Sequence, residues 1–183
     1  MSDYAAFLRG INVGGHRISS VELRARFEEL GFRAVSTFRA SGNVIFAAAS
    51  GKPPGETEMN ARIEAGLAAA LGYEVPVFLR TAEEIEKIAA HQPFAQALIE
   101  ASKGKLQVAM LSARPTAGER KEILALADDE DRLAFGAREL YWLPSGGILD
   151  SALDLKVIGK LLGLTTTRTK NTVEQIATKY FAA

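Results

Sequence analysis

The order of apolar strand-like runs and amphipathic helices constrains this 183-residue chain more than any single residue does. Tyr4 to Arg9 reads as a buried strand, and Ser19 to Leu30 as a helix with Val21, Leu23, Phe27 and Leu30 on its apolar side. Ser19-x-x-Glu22 is a capping box that starts this helix, and Gly31 stands where a C-terminal glycine ends one. Ala34 to Ala40 and Val44 to Ala48 are β-branched and aromatic runs flanking Ser41-Gly42-Asn43, which reads as a hairpin. A loop follows at Gly51–Gly55. Met59, Ile63, Leu67 and Leu71 then recur at helical spacing, Gly72 closes that helix, and Val75 to Leu79 is a fourth strand. The order is βαββαβ, which predicts a ferredoxin-like unit.

The second half repeats the order more loosely. A linking helix from Ala82 to Ala90 opens with the box Thr81-x-x-Glu84. Leu106 to Leu111 reads as a strand, and Thr116-x-x-Glu119 starts a helix that runs to Ala127. A hairpin at Arg132–Ala137 and Glu139–Leu143, a helix at Ala152–Leu162, a short strand at Thr165–Arg168 and a helix at Thr172–Phe181 complete the pattern. The predicted class is α+β: two ferredoxin-like βαββαβ units with antiparallel sheets, a linking helix and a C-terminal helix. The expected boundaries are 1–80, 81–104 and 105–183. The second unit is read as a duplicate on element order, because the two halves share little residue identity.

Acidic and basic residues balance at 22 each, so no global field points to nucleic acid or an anionic membrane. With no cysteine there is no disulfide, thiolate catalysis or cysteine-bound metal. His16 and His91 have no companion at ligand spacing, so no metal or cofactor is expected. No apolar run reaches membrane-spanning length, and Tyr4 to Leu8 is too short for a signal peptide; the expectation is a cytoplasmic protein without a membrane partner.

In a sheet of this topology the first two strands run the same way, so the loop after the first and the turn between the second and third emerge at one end. Those segments are Arg9 to Gly15, with three glycines, and Ser41 to Asn43. Arg9, Asn12, His16, Arg17, Arg39, Ser41 and Asn43 would converge there, above helix amides starting near Ser19. Glycine-rich backbone, a helix N-terminus and arginine forks suit phosphate or carboxylate. The expected ligand is a small anion, held by Arg9, Asn12, Gly14, Gly15, Ser41 and Asn43. Taken alone, Ser41-Gly42-Asn43 is more often ordinary hairpin chemistry; it is the two loops together that suggest a site. Gly10 and Gly15 have the spacing of a Walker A loop, but His16 and Arg17 stand where Lys and Ser/Thr belong. G-x-G-x-x-G is absent. Ser41 as a nucleophile would need His16 as its base, so enzyme activity stays open. Arg168, in the stretch Thr165–Thr172, is a second candidate anion contact, and Asn171-x-x-Glu174 reads as a capping box. The run Asp128–Asp131 reads as a surface turn rather than a metal site.

Two other functions remain. A nucleic-acid module would present Phe38, Phe46 and Phe78 on a sheet face, against the charge balance. A homo-oligomeric module, such as a homodimer, would expose Tyr141 and Trp142.

The motifs Tyr4-Ala5-Ala6-Phe7-Leu8-Arg9-Gly10-Ile11-Asn12-Val13-Gly14-Gly15 and Thr37-Phe38-Arg39-Ala40-Ser41-Gly42-Asn43-Val44-Ile45-Phe46 resemble the bacterial Domain of Unknown Function 1697 family. The resemblance extends to Thr166-Thr167-Arg168 and Asn171-Thr172-Val173. It implies a duplicated α+β fold of ferredoxin-like type and no established activity. The family pattern often places Lys where His16 stands, and Arg-Asn-Trp where this chain has Arg168-Thr169-Lys170.

Overall fold

The computed structural model describes residues 3–48 and 54–182. The Gly51–Gly55 loop expectation falls mostly outside them. The chain divides into two compact units, one of Met1–Lys87 with Ile176–Ala183 and the other of Ile88–Gln175. The end of the C-terminal helix groups with the first unit, where Tyr180 meets Phe38 edge-on.

In the first unit the order is β1 (Tyr4–Leu8), α1 (Ser20–Glu29), β2 (Arg33–Thr37), β3 (Asn43–Ala47), α2 (Glu56–Leu71) and β4 (Val77–Thr81). The sheet order is β2-β3-β1-β4, with every neighbouring pair antiparallel. β1 and β2 are therefore separated by β3 and run the same way, so the residues after β1 and before β3 leave the sheet at one end. Ala6, Leu8, Val44, Phe46, Val77 and Leu79 pack against Leu23 and Phe27 of α1 and Met59, Ile63 and Leu67 of α2. Ser19 and Glu22 form the anticipated capping box, and Gly72, in the left-handed region, ends α2.

Three boundaries move for local reasons. β4 starts at Val77, two residues late, because Pro76 has no N–H for a ladder. The hairpin tip is longer than three residues, since β2 ends at Thr37 and Asn43, the first residue of β3, already pairs with Phe7 of β1. At the outer edge, the register of β2 slips between Arg33 and Ser36, around Ala34 with φ +50°.

The second unit contains α4 (Gln96–Ala101), β5 (Gln107–Leu111), α5 (Ala117–Leu124), β6 (Asp131–Phe135), β7 (Glu139–Pro144), a 3-10 turn (Ile148–Asp150), α6 (Leu155–Leu162) and β8 (Thr165–Thr169). The linking helix α3 (Ala82–Ala90) precedes it, and α7 (Lys170–Ile176) follows β8 and continues as a π-helical turn over Ala177–Phe181. The sheet order β6-β7-β5-β8 reproduces that of the first unit, again antiparallel throughout. Leu111, Ile123, Leu133, Leu140, Trp142 and Ile158 form its core. α6 starts at Leu155 rather than Ala152, because the Asp154 carboxylate accepts from the amides of Lys156 and Val157. Among the described residues, no helix is long and apolar enough to cross a membrane.

Candidate functional site

The end of β1 is fastened on both sides. Leu8 N–H donates to Gly42 O at 2.8 Å and Arg9 N–H to Pro76 O at 2.9 Å. The chain then makes an irregular loop in which Gly10, Asn12, Gly14 and Gly15 all have positive φ, from +57° to +89°. Ile11 turns inward and is buried, while Arg9, Gly10 and Val13–Arg17 are exposed.

Asn12 joins this loop to the hairpin tip. Its Nδ2 donates to Ala40 O at 3.0 Å and its Oδ1 accepts from Ile18 N–H at 2.8 Å, so one side chain spans three segments. The two loops therefore meet. The tip is closed by Asn43, whose Nδ2 donates to Phe38 O at 2.8 Å and Ser41 Oγ at 2.9 Å. Gly42 (φ +70°) lies so close that an added Cβ would come within 2.6 Å of Ile11 Cγ2. The amide groups of Asn12 and Asn43 thus brace the backbone.

What the loop presents outward is main chain and cation. The N–H groups of Gly10, Ile11, Val13, Gly14 and Gly15 donate to nothing among the described residues. Among the described residues, nothing lies within 4 Å of where a Cβ would stand on Gly10, Gly14 or Gly15. Arg9 and Arg17 flank this stretch, and His16 stacks on Tyr73 with ring centroids 4.0 Å apart. The Tyr73 hydroxyl is buried without a hydrogen-bond partner among the described residues. The start of α1 is already occupied: Ser19 N–H and Oγ both donate to the Glu22 carboxylate, and Glu22 N–H donates back to Ser19 Oγ. These bonds hold Glu22 below the ordinary glutamate range, the Ser19 side-chain bond being the largest cause.

Beside the tip lies a cluster with no local sequence signal. Arg39, at φ +58°, places its guanidinium 5.4 Å from the Phe38 ring centroid. Lys179 Nζ stands 5.9 Å from the same centroid and 5.1 Å from that of Tyr180. Phe38 and Tyr180 meet edge to face at 6.3 Å. No spacing in the sequence links residue 38 to 179 and 180.

Arg168 belongs to the second unit, in β8 opposite Val108. Its Nη1 donates to Thr166 Oγ1 at 2.9 Å and Thr167 O at 2.8 Å, and burial pushes the guanidinium down to about 10, still protonated at neutral pH. Where the family pattern is broken, Thr169 and Lys170 have structural work. Thr169 Oγ1, rather than Asn171, accepts from Thr172 N–H at the start of α7. Buried Lys170 donates from Nζ to Ala89 O at 2.6 Å and Glu174 Oε1 at 2.8 Å. Asn171 instead accepts from Gln175.

The acidic run lines a hollow of about 280 Å³ with Asp128, Glu130, Asp131, Ser145, Gly147 and Ser151 on its wall. Asp128 caps its own turn, accepting from Glu130 N–H and Asp131 N–H. Asp131 departs from the surface-turn expectation: it is 4% exposed and accepts from Trp142 Nε1 at 2.6 Å and Ser151 Oγ at 2.7 Å. Among the described residues no three His, Cys, Asp or Glu side chains group to hold a metal. Phe46, Phe78, Tyr141 and Trp142 are all buried.

Two antiparallel sheets of matching strand order, with a braced glycine loop at one end of the first, define an α+β protein of repeated βαββαβ order. The chain belongs to the family described as protein of unknown function (DUF1697), whose model matches residues 1–141. Both N-terminal motifs lie within that match, and Arg168 and Thr172 lie beyond it. A conserved bacterial protein from Streptococcus pneumoniae has a similar fold, with a TM-score of 0.74 over 97% of each chain at 19% identity. No sequence among the curated proteins matches the chain.

Proposed function

We propose that the chain binds a small anion, phosphate-like in its chemistry, at the loop from Arg9 to Arg17. The observation that carries this reading is the run of amides from Gly10 to Gly15 that donate to nothing among the described residues, beside three open glycine faces. Successive backbone N–H groups around left-handed residues form concavities suited to anions, and arginine supplies charge and a bidentate fork. In this reading Gly14 and Gly15 cradle the anion and Arg9 pairs with it. Asn12, Ser41 and Asn43 keep the cradle in shape, because their polar groups bond within the loops. Arg168, on β8 of the second unit, is kept as a second candidate anion contact. The same reading takes each unit as ferredoxin-like, the pair as a duplication, and the cysteine-free chain as cytoplasmic.

The test is thermal denaturation of wild type and Arg9→Ala in increasing inorganic phosphate. Ligand linkage gives about 2.7 kcal/mol of stabilisation at a hundredfold excess over the dissociation constant. Wild type should show the rise and Arg9→Ala should lose most of it. Equal responses would remove Arg9 as the anchor; no response in wild type would remove the anion site.

A further inference from the structure

We infer that the hollow at the open end of the β6–β7 hairpin binds an organic cation, a primary ammonium carried on a short apolar chain. It lies wholly within the second unit and is independent of the anion reading of the glycine loop.

The walls are held by their own bonds. Ser145 N–H donates to Glu130 O at 2.7 Å and Ser145 Oγ to the Glu130 carboxylate, while Lys103 N–H donates to Ser145 O at 3.0 Å. On the other side, Ser151 Oγ accepts from Leu153 N–H at 3.0 Å and donates to Asp131 Oδ2 at 2.7 Å. These bonds set the shape of the hollow before a ligand arrives, which lowers the cost of binding one.

Its charge is one-sided. In the run Asp128–Asp131, Asp129 takes the one nearby cation, Arg132, at 2.7 Å. Asp128, Glu130 and Asp131 line the hollow and have no ion pair among the described residues. Asp128 and Glu130 are exposed, so water serves them, but Asp131 is buried. A carboxylate offers about four acceptor positions, and Asp131 receives only neutral donors, Trp142 Nε1 and Ser151 Oγ. A charge withdrawn from water is costly unless an opposite charge meets it. No described residue supplies that charge, and the hollow beside Asp131 is where a ligand's would stand.

The fit is to something larger than a bare ion. Among the described residues the carboxylates do not group as metal ligands do. At about 280 Å³ the hollow approaches the small end of organic-ligand sites, about 300–1,000 Å³. Pro144 and Ala152 add apolar wall, and the turn joining Gly147 to Ser151 carries Ile148 and Leu149, 42% and 98% exposed. An ammonium head on Asp131 with a hydrocarbon tail against these side chains satisfies both the charge and the apolar margin.

Trp142 is the chain's one tryptophan and its indole donates to Asp131, so its emission reports on this carboxylate. Titration with n-butylammonium chloride, n-butanol and calcium chloride at constant ionic strength tests the inference, read by Trp142 emission and by melting temperature. The proteins are wild type, Asp131→Asn and Glu130→Gln. Asp131→Asn keeps an oxygen acceptor for the indole and removes the charge; Glu130 is exposed, so Glu130→Gln decides the matter should Asp131→Asn fail to fold. Butylammonium should shift the emission saturably and raise the melting temperature with the same midpoint concentration, and butanol and calcium should do neither. Asp131→Asn should raise that midpoint at least about tenfold, as for one lost charge-assisted contact, and Glu130→Gln about threefold, as for an exposed charge. Stabilisation without a change in Trp142 emission, an equal response to butanol, or a midpoint unmoved in the folded variants would overturn the inference. A matching response to calcium would refute the organic ligand, and no response to butylammonium in either readout would remove the site.

Discussion

Replacing Gly42 with alanine tests how the two loops are held together. Gly42 has φ +70°, and an added methyl group would stand 2.6 Å from Ile11 Cγ2 and 3.0 Å from Leu8 Cβ. Two costs combine. An L-residue in the left-handed region costs about 1–2 kcal/mol. Forcing one extra carbon into a packed place costs about 1–3 kcal/mol more, because Ile11 is 5% exposed and Leu8 2%, with little room to retreat. The loss should be about 3 kcal/mol. Gly14 is the internal control: its φ is +59°, but nothing among the described residues lies within 4 Å of the added carbon, so Gly14→Ala should cost only the conformational part, about 1 kcal/mol. Urea unfolding followed by far-UV circular dichroism measures both. Trp142 lies in β7 of the second unit, so its fluorescence separates loss of that unit from loss of the first. Equal destabilisation by the two substitutions would refute the argument that the hairpin tip is packed onto Ile11 and Leu8.

Other expectations follow from the same bonds. Asn12→Ala removes the bridge to both Ala40 and Ile18 and should cost about 2 kcal/mol, with faster hydrogen exchange at the Ile18 amide. Asp131→Ala leaves the buried Trp142 Nε1–H without its acceptor; a loss of about 2 kcal/mol with a shifted Trp142 emission is expected, and unchanged emission would count against that bond. Ser19→Ala should cost about 1 kcal/mol through the cap of α1. Glu22 is lowered by its Ser19 bonds and Glu119 by its Thr116 bonds, so each cap contributes fully above the ordinary glutamate range. That contribution should fade as pH drops through the lowered folded values. Carboxyl titration by nuclear magnetic resonance, with midpoints below those of a model peptide, would show it.

The fold was legible where each element carries its own start and stop. Ser19 with Glu22, Thr81 with Glu84 and Thr116 with Glu119 all cap as their spacing implies, and Gly72 ends α2 in the conformation that favours glycine. Legibility failed where two polar residues compete for one task. Asn171 has the spacing of a cap, but α7 already starts at Lys170, so Thr169 stands before the helix and its hydroxyl takes the Thr172 amide. Asn43 looks like a turn residue, yet it sits in β3 and reaches back to close the turn. The meeting of the two loops followed from strand direction alone, whereas the bond that fixes it, from Asn12 to Ala40, has no sequence signature. The Phe38–Tyr180 contact was out of reach for a plainer reason: the C-terminal helix approaches the tip only once the chain has folded.

The slip in register around Ala34 also bears on how copies of this molecule meet one another. β2 is the outermost strand of its sheet, and a straight outer strand offers an unpaired row of donors and acceptors on which an incoming strand can grow. The left-handed residue at Ala34 interrupts that row after Arg33, leaving a stretch too short and too bent to template an extended ladder. Straightening it would trade a kinked margin for an adhesive one. The expected penalty is precipitation at high protein concentration rather than a lower melting point.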